Sequence, residues 1–287
     1  MDFPQFPRTE VGGVPLPRML IGSNWLLGYS HTGPAADRMI RRRHSDPAQV
    51  SAVLDAYMQY GIDAIMAPQF APDTPMRAGM RLTEEKFGHS FTQIVTPGIN
   101  VDDSPAARAQ ANETIRQCAR DGAKFCLIHH GSAEQLVNKN KRTIDRLPDY
   151  LYMIREAGMI PGLSAHMPEL VTYSDSNEYD VETYIQIYNC MGFLMQIEIE
   201  GIHSVIWNAK KPVMTIKSMA AGRCTPFVGL TFSYATLRPC DMVTLGAFTP
   251  DEVHEDVEIA LAAIDRRRPL LGKRSSPVMT SILEVRE

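Results

Sequence analysis

Short runs rich in aliphatic and β-branched residues alternate along the chain with longer segments of helical periodicity, and a glycine or proline usually marks the change. The β-type runs lie at 18–24 (RMLIGSN), 63–68 (DAIMAP), 92–100 (TQIVTPGIN), 123–130 (AKFCLIHH), 159–166 (MIPGLSAH), 193–200 (FLMQIEIE), 212–220 (PVMTIKSMA) and 241–249 (DMVTLGAFT). Helices are expected between them. Asp46-Pro47 supplies an N-cap and a first-turn proline, with Gln49 placed for a capping box. Val50, Val53, Leu54, Tyr57 and Met58 then follow helical spacing until Gly61. The last helix opens with the capping box of Thr249-Pro250-Asp251-Glu252, and Val253, Val257, Ala260, Leu261 and Ile264 form its apolar stripe.

Strands joined by crossover helices run parallel, and right-handed crossovers wind them in one sense. Eight such units close into a barrel of about 250 residues. The expected fold is therefore α/β, a (β/α)8 barrel of the TIM type, with residues 1–287 forming one domain. Residues 8–17 read as a hairpin plugging the bottom, and 266–287 as a tail packing on the barrel. The rival is an open doubly wound sheet, but no GxGxxG follows the first strand.

Composition narrows the function classes. Of 287 residues, 44% are hydrophobic and 22% charged, with a formal charge of −4, which gives no electrostatic reason to expect nucleic acid or an anionic membrane as a partner. Arg41–Arg43 and Arg266–Arg268 read as solvated surface. No run approaches the ~20 apolar residues of a membrane span, and the start lacks the apolar stretch of a signal peptide. The five cysteines show no CxxC spacing, which argues against disulfides and a cysteine zinc site. A protein of the reducing cytoplasm acting on a small molecule is the expectation, and assembly into a homo-oligomer stays open.

In a barrel of this type the chemistry sits at the C-terminal ends of the strands. His129 and His130 fall there on the fourth strand, and alternation allows only one of them to face the axis. His166 closes the fifth strand. In MQIEIEG, Gln196, Glu198 and Glu200 alternate with apolar residues, so the carboxylates should share an inward face and need partners there. Lys217 on the seventh strand is expected inward by the same logic, as a base, a Schiff-base amine or a charge partner for Glu198 or Glu200. His31 lies in a long loop that could fold over the mouth. His44, His89, His203 and His254 fall in helical or loop contexts and carry no such argument. Two imidazoles and a carboxylate from consecutive strands suit a divalent metal, zinc, manganese or iron, with His130, His166 and Glu200 as its ligands. Glu198, Lys217, His129 and His31 are then the catalytic candidates.

The segment KPVMTIKSMAAGRCTPF…DMVTLGAFTPDEVHEDVEIALAAI resembles the C-terminal third of the aldo/keto reductases. VGGVPLPRMLIGSN is similar to that family's hairpin and first strand, and LIHH to the strand that ends in its catalytic histidine, so His129 or His130 would match. The resemblance implies the same barrel and, where the reaction is kept, an NAD(P)H cofactor. The rest of the family's tetrad is missing. GIDAIMAPQFAP offers Met66 near the Asp position with no tyrosine after it, and TQIVTPG offers Thr96 where a lysine stands. Nor does a set of cationic side chains for an NADPH 2′-phosphate follow strand eight. The favoured function is thus a metal-assisted lyase, isomerase or hydrolase acting on a small polar carbonyl or sugar-like substrate. The alternatives are a divergent NAD(P)H-dependent aldo/keto reductase using the strand-four histidine as its acid, and a non-catalytic barrel that binds a ligand or partner.

Overall fold

The computed structural model describes residues 3–69, 71 and 73–271. Strands β1 (Arg8–Val11) and β2 (Val14–Pro17) form an antiparallel hairpin. The barrel strands are β3 (Met19–Gly22), β4 (Ala64–Ala67), β5 (Thr92–Val95), β6 (Phe125–Ile128), β9 (Ile160–Ala165), β10 (Thr183–Ile187), β11 (Val213–Ile216) and β12 (Met242–Leu245). Between β6 and β9, β7 (Val137–Asn138) and β8 (Thr143–Ile144) make a small separate pair. The eight barrel strands close as β10-β11-β12-β3-β4-β5-β6-β9, every neighbouring pair parallel. This is the (β/α)8 barrel with an N-terminal hairpin expected from the chain.

The helices are α1 (Asn24–Leu27), α2 (Pro34–His44), α3 (Pro47–Met58), α4 (Pro75–Phe87), α5 (Pro105–Arg120), α6 (His130–Ala133), α7 (Leu147–Glu156), α8 (Glu169–Ser176), α9 (Ile199–Asn208), α10 (Pro226–Thr236) and α11 (Pro250–Ile264). Asp46 caps α3 by accepting from the Ala48 amide, and the capping box of Thr249 and Glu252 is formed on α11. No helix among the described residues is long and apolar enough to cross a membrane.

The strand period of two sorts side chains into two cores. Leu20, Ala64, Met66, Ile94, Phe125, Leu127, Ile160, Ile185, Met214 and Met242 fill the barrel, and Val11 and Leu16 of the hairpin join them from below. The alternate residues, among them Ile21, Ile65, Val95, Ile128, Leu163, Tyr184, Val213 and Val243, pack outward on the helices. Both strand faces are apolar because both are covered, so the strands read as continuous hydrophobic runs.

One element departs from expectation. The sixth barrel strand is Thr183–Ile187, whose five residues are all buried, and not 193–200. Gly192 and Leu194 adopt left-handed conformations (φ 65° and 57°) that end any extended run. The alternation of Ile197, Glu198, Ile199 and Glu200 belongs instead to a helix start. Glu198 is the N-cap of α9, Glu200 lies in its first turn, and Ile202 and Ile206 continue the apolar stripe inward. Carboxylates at a helix N-terminus are stabilised by the helix dipole, which explains them without a buried role. Of the expected tail 266–287, residues beyond 271 lie outside the described residues.

Candidate functional site

A cavity of about 790 Å³ opens at the C-terminal ends of the strands. Its floor is the uppermost inward layer of the barrel, including Gly22, Met66, Thr96, Ser164, Ile185, Ile216 and Thr244. Gly22 and Gly246 let β3 and the end of β12 approach closely: a Cβ on Gly246 would lie 2.9 Å from the Gly22 carbonyl oxygen. Asp63, at the opposite end of β4, is engaged by Arg8 (3.1 Å) and His89 (2.8 Å) and takes no part in the mouth.

His129 and His130 both line the cavity, against the expectation that only one could. The reason is local. Strand geometry stops at Ile128, His129 becomes the N-cap of α6, and His130 is already helical, so alternation no longer separates them. Their ring centroids are 4.2 Å apart. His166 directly follows β9 and stacks on His130, centroids 3.6 Å apart and planes at 17°. Glu134, overlooked in the sequence, ties the two segments together. Its Oε1 accepts from the backbone amides of His166 and Met167, both at 2.8 Å, while Oε2 lies 3.8 Å from His130 Nδ1. Its position one helical turn after His130 is the signal that could have found it.

The rest of the rim comes from two strained loops. In the first, Ser30 donates through its amide and hydroxyl to Asp37, holding that carboxyl below its usual range, and Asn24 bonds His31 Nε2 at 3.0 Å. In the second, Lys217 follows β11 with φ 63°, and the chain turns through Ala220 and Ala221 at φ 49° and 53°. Of the nine non-glycine residues with positive φ among the described residues, these three and His31 line or adjoin the cavity. Each such conformation costs of order 1–3 kcal/mol, and such strain clusters where function needs a fixed side chain. Arg223 completes this side, its guanidinium carbon 3.9 Å from the centre of the Phe193 ring.

The electrostatics follow from crowding like groups in a half-buried space. His166 is pushed down to about 3, first by burial and then by the charges of His130, Lys217, His129 and His31. His129 is lowered by burial and by His130, with Glu134 opposing. His31 is lowered by burial and Lys217, with Asp37 opposing. Burial lowers Lys217. At neutral pH His129, His166 and His31 are therefore neutral rings. The Gly131 amide donates to His129 Nδ1 at 3.2 Å, which assigns the ring proton to Nε2.

Of the residues singled out in the sequence, His31, His129, His130, His166 and Lys217 meet at one mouth. Glu198 and Glu200 do not: both are exposed, on α9 and its cap. Without Glu200 the expected metal set loses its carboxylate. Rings stacked face to face also cannot aim their nitrogens at one point, and no cluster of three or more ligating side chains suited to a metal occurs among the described residues.

The sequence matches no family model and no curated protein. Solved structures do match. A Pseudomonas aeruginosa protein described as an aldo-keto reductase is 13% identical, over 92% of this chain and 98% of that chain, with TM-score 0.65. An aldo-keto reductase of Bacillus halodurans, in its holo form, is 10% identical over 94% and 99%, with TM-score 0.61. A glycerol dehydrogenase of Gluconobacter oxydans is 15% identical over 94% and 98%, with TM-score 0.54. The chain shares the (β/α)8 barrel fold of these aldo-keto reductases. These neighbours and the missing ligand set overturn the expected metal-assisted lyase, isomerase or hydrolase, and the divalent metal with it.

Proposed function

We propose that this protein is a nicotinamide-dependent oxidoreductase that interconverts a small carbonyl compound and its alcohol at the barrel mouth. The observation that carries this reading is His129. It directly follows the fourth barrel strand of an aldo-keto reductase-like fold, lines the cavity, and keeps its ring proton on Nε2. The names of the solved neighbours, aldo-keto reductases and a glycerol dehydrogenase, support the same reaction class.

The residues present fit a dinucleotide in the chemistry they offer. Ser218, 1% exposed, lines the cavity with a hydroxyl that has no hydrogen-bond partner, as a ligand amide would require. Arg223 offers a cation to a diphosphate. Glu252 of α11 lines the same cavity with a carboxylate that opposes an additional phosphate, which favours NAD(H) over NADP(H). When bound, the nicotinamide supplies or accepts the hydride.

The chain's own residues supply the rest. Met66 and Thr96 line the cavity where the resemblance puts the reductases' Asp and Lys, so His129 must act without that tetrad. Its Nε2–H donates to the carbonyl oxygen and stabilises the charge that develops there, as a neutral imidazole can. The alkoxide takes its proton from water entering the cavity, while His129 keeps its Nε2 proton as the hydrogen-bond donor. Met66 and Ile185 keep the floor apolar and strengthen that hydrogen bond.

Titration with NADH and NADPH, followed by the fluorescence of Trp25 in the cavity wall, tests the reading. NADH should give a saturable change and NADPH a binding at least about tenfold weaker. A flat response to both would overturn it.

A further inference from the structure

We propose that the carbonyl substrate carries an adjacent carboxylate, as a 2-oxo acid does, and that Lys217 with the imidazole stack is the receptor for that oxyanion. The reacting carbonyl in this inference rests on the oxidoreductase reading, whereas the oxyanion receptor does not. Under that reading one hydride from NADH and one proton convert the 2-oxo acid to the 2-hydroxy acid.

The argument begins with an unanswered charge. Lys217 is half-buried in the cavity wall, and its ammonium has no ion pair and no hydrogen bond among the described residues. A desolvated cation without a partner is costly, and an anion bound beside it removes that cost. The backbone at Lys217 is held in the strained left-handed region (φ 63°), which sets the direction in which the side chain leaves it.

The surroundings call for an anion. His31, His129, His130 and His166 approach from three other segments, and Lys217 acts on His31 and His166. The carboxylates in reach are already engaged. Glu134 spends one oxygen on two backbone amides and stands off His130 at 3.8 Å with the other. Asp37 is held by Ser30. None of the cavity carboxylates of α11, Glu252, Glu255 and Asp256, acts on Lys217, His31, His129 or His166.

Geometry selects the carboxylate's position on the substrate. Lys217 and His129 line one cavity and both lie near enough to His166 to act on its ring, so an oxyanion on the ammonium and a carbonyl oxygen on His129 Nε2–H fit neighbouring positions of one small molecule. A 2-oxo acid has them on adjacent carbons.

Oxamate, an unreactive isostere of a 2-oxo acid, is the probe, measured by isothermal titration calorimetry with and without NADH. Binding by oxamate, with its neutral analogue oxamide at least about thirtyfold weaker, is the expected result. Lys217→Met should weaken oxamate about thirtyfold or more, and Lys217→Arg should recover most of that loss. Equal binding of oxamide, or unchanged oxamate binding by a folded Lys217→Met protein, would overturn the proposal. Inorganic phosphate that binds more tightly than oxamate would also overturn it, assigning the site to a phosphoryl group. NADH binding without oxamate binding defeats this inference alone, while oxamate binding without NADH binding defeats only the oxidoreductase reading.

Discussion

The imidazole of His130 lies flat on that of His166, ring centroids 3.6 Å apart, so the first residue of α6 and the residue after β9 share one face-to-face contact. Two rings this close cannot both carry charge without strong repulsion, and burial adds to the penalty. Glu134 holds the pair together from outside the cavity, through the backbone of the His166 segment.

Burial of His166, with that contact second, sets a pH dependence of stability. The folded pKa of His166, about 3, lies below the unfolded value of 6.5, so the unfolded chain binds more protons. Stability should be full above about pH 6.5 and fall steadily as pH drops toward 3. Thermal unfolding of the wild type at pH 7 and pH 4.5 should show a drop in Tm that shrinks by a few degrees in His166→Asn. An identical drop in both proteins would refute the assignment.

Removing the Glu134 carboxylate should loosen the same corner. Glu134→Ala leaves the amides of His166 and Met167 without their acceptor, at an expected loss of about 1–3 kcal/mol by urea denaturation. Glu134→Gln keeps an acceptor oxygen and should lose less than half as much.

His129→Asn should lower kcat for NADH-dependent carbonyl reduction by about a hundredfold or more, the usual scale for losing a hydrogen-bond donor to the developing charge. Pyruvate and glyoxylate are the substrates to assay first. Circular dichroism and the NADH titration should stay close to wild type, because among the described residues the ring hydrogen-bonds the backbone only at Gly131.

Glu198→Gln and Glu200→Gln should each change stability by under about 0.5 kcal/mol and leave activity intact, as expected of exposed positions. Loss of activity in either would return the carboxylates of α9 to the site.

Residue pattern alone determined the barrel, seven of whose eight strands are where apolar runs and helical segments alternate. It also determined which end of the barrel holds His129, His130, His166 and Lys217, because strand direction in a parallel barrel places every such ending at one mouth. Alternation failed at two places, and for one reason. A period of two is informative only while the backbone is extended, and neighbouring residues cannot show where extension stops. At 193–200 the chain turns through Gly192 and Leu194 into a helix, so Ile-Glu-Ile-Glu is a cap and first turn. At His129 the strand has already ended, so adjacent imidazoles share a cavity. The buried strand Thr183–Ile187 was masked because, covered on both faces, it has no polar side to announce it. Only the tertiary structure decided that Glu134 braces the stack, that Lys217 has no ion pair among the described residues, and that the rings meet by their faces. Those relations join segments far apart in the chain, and it is the closure of the barrel that brings them within contact distance.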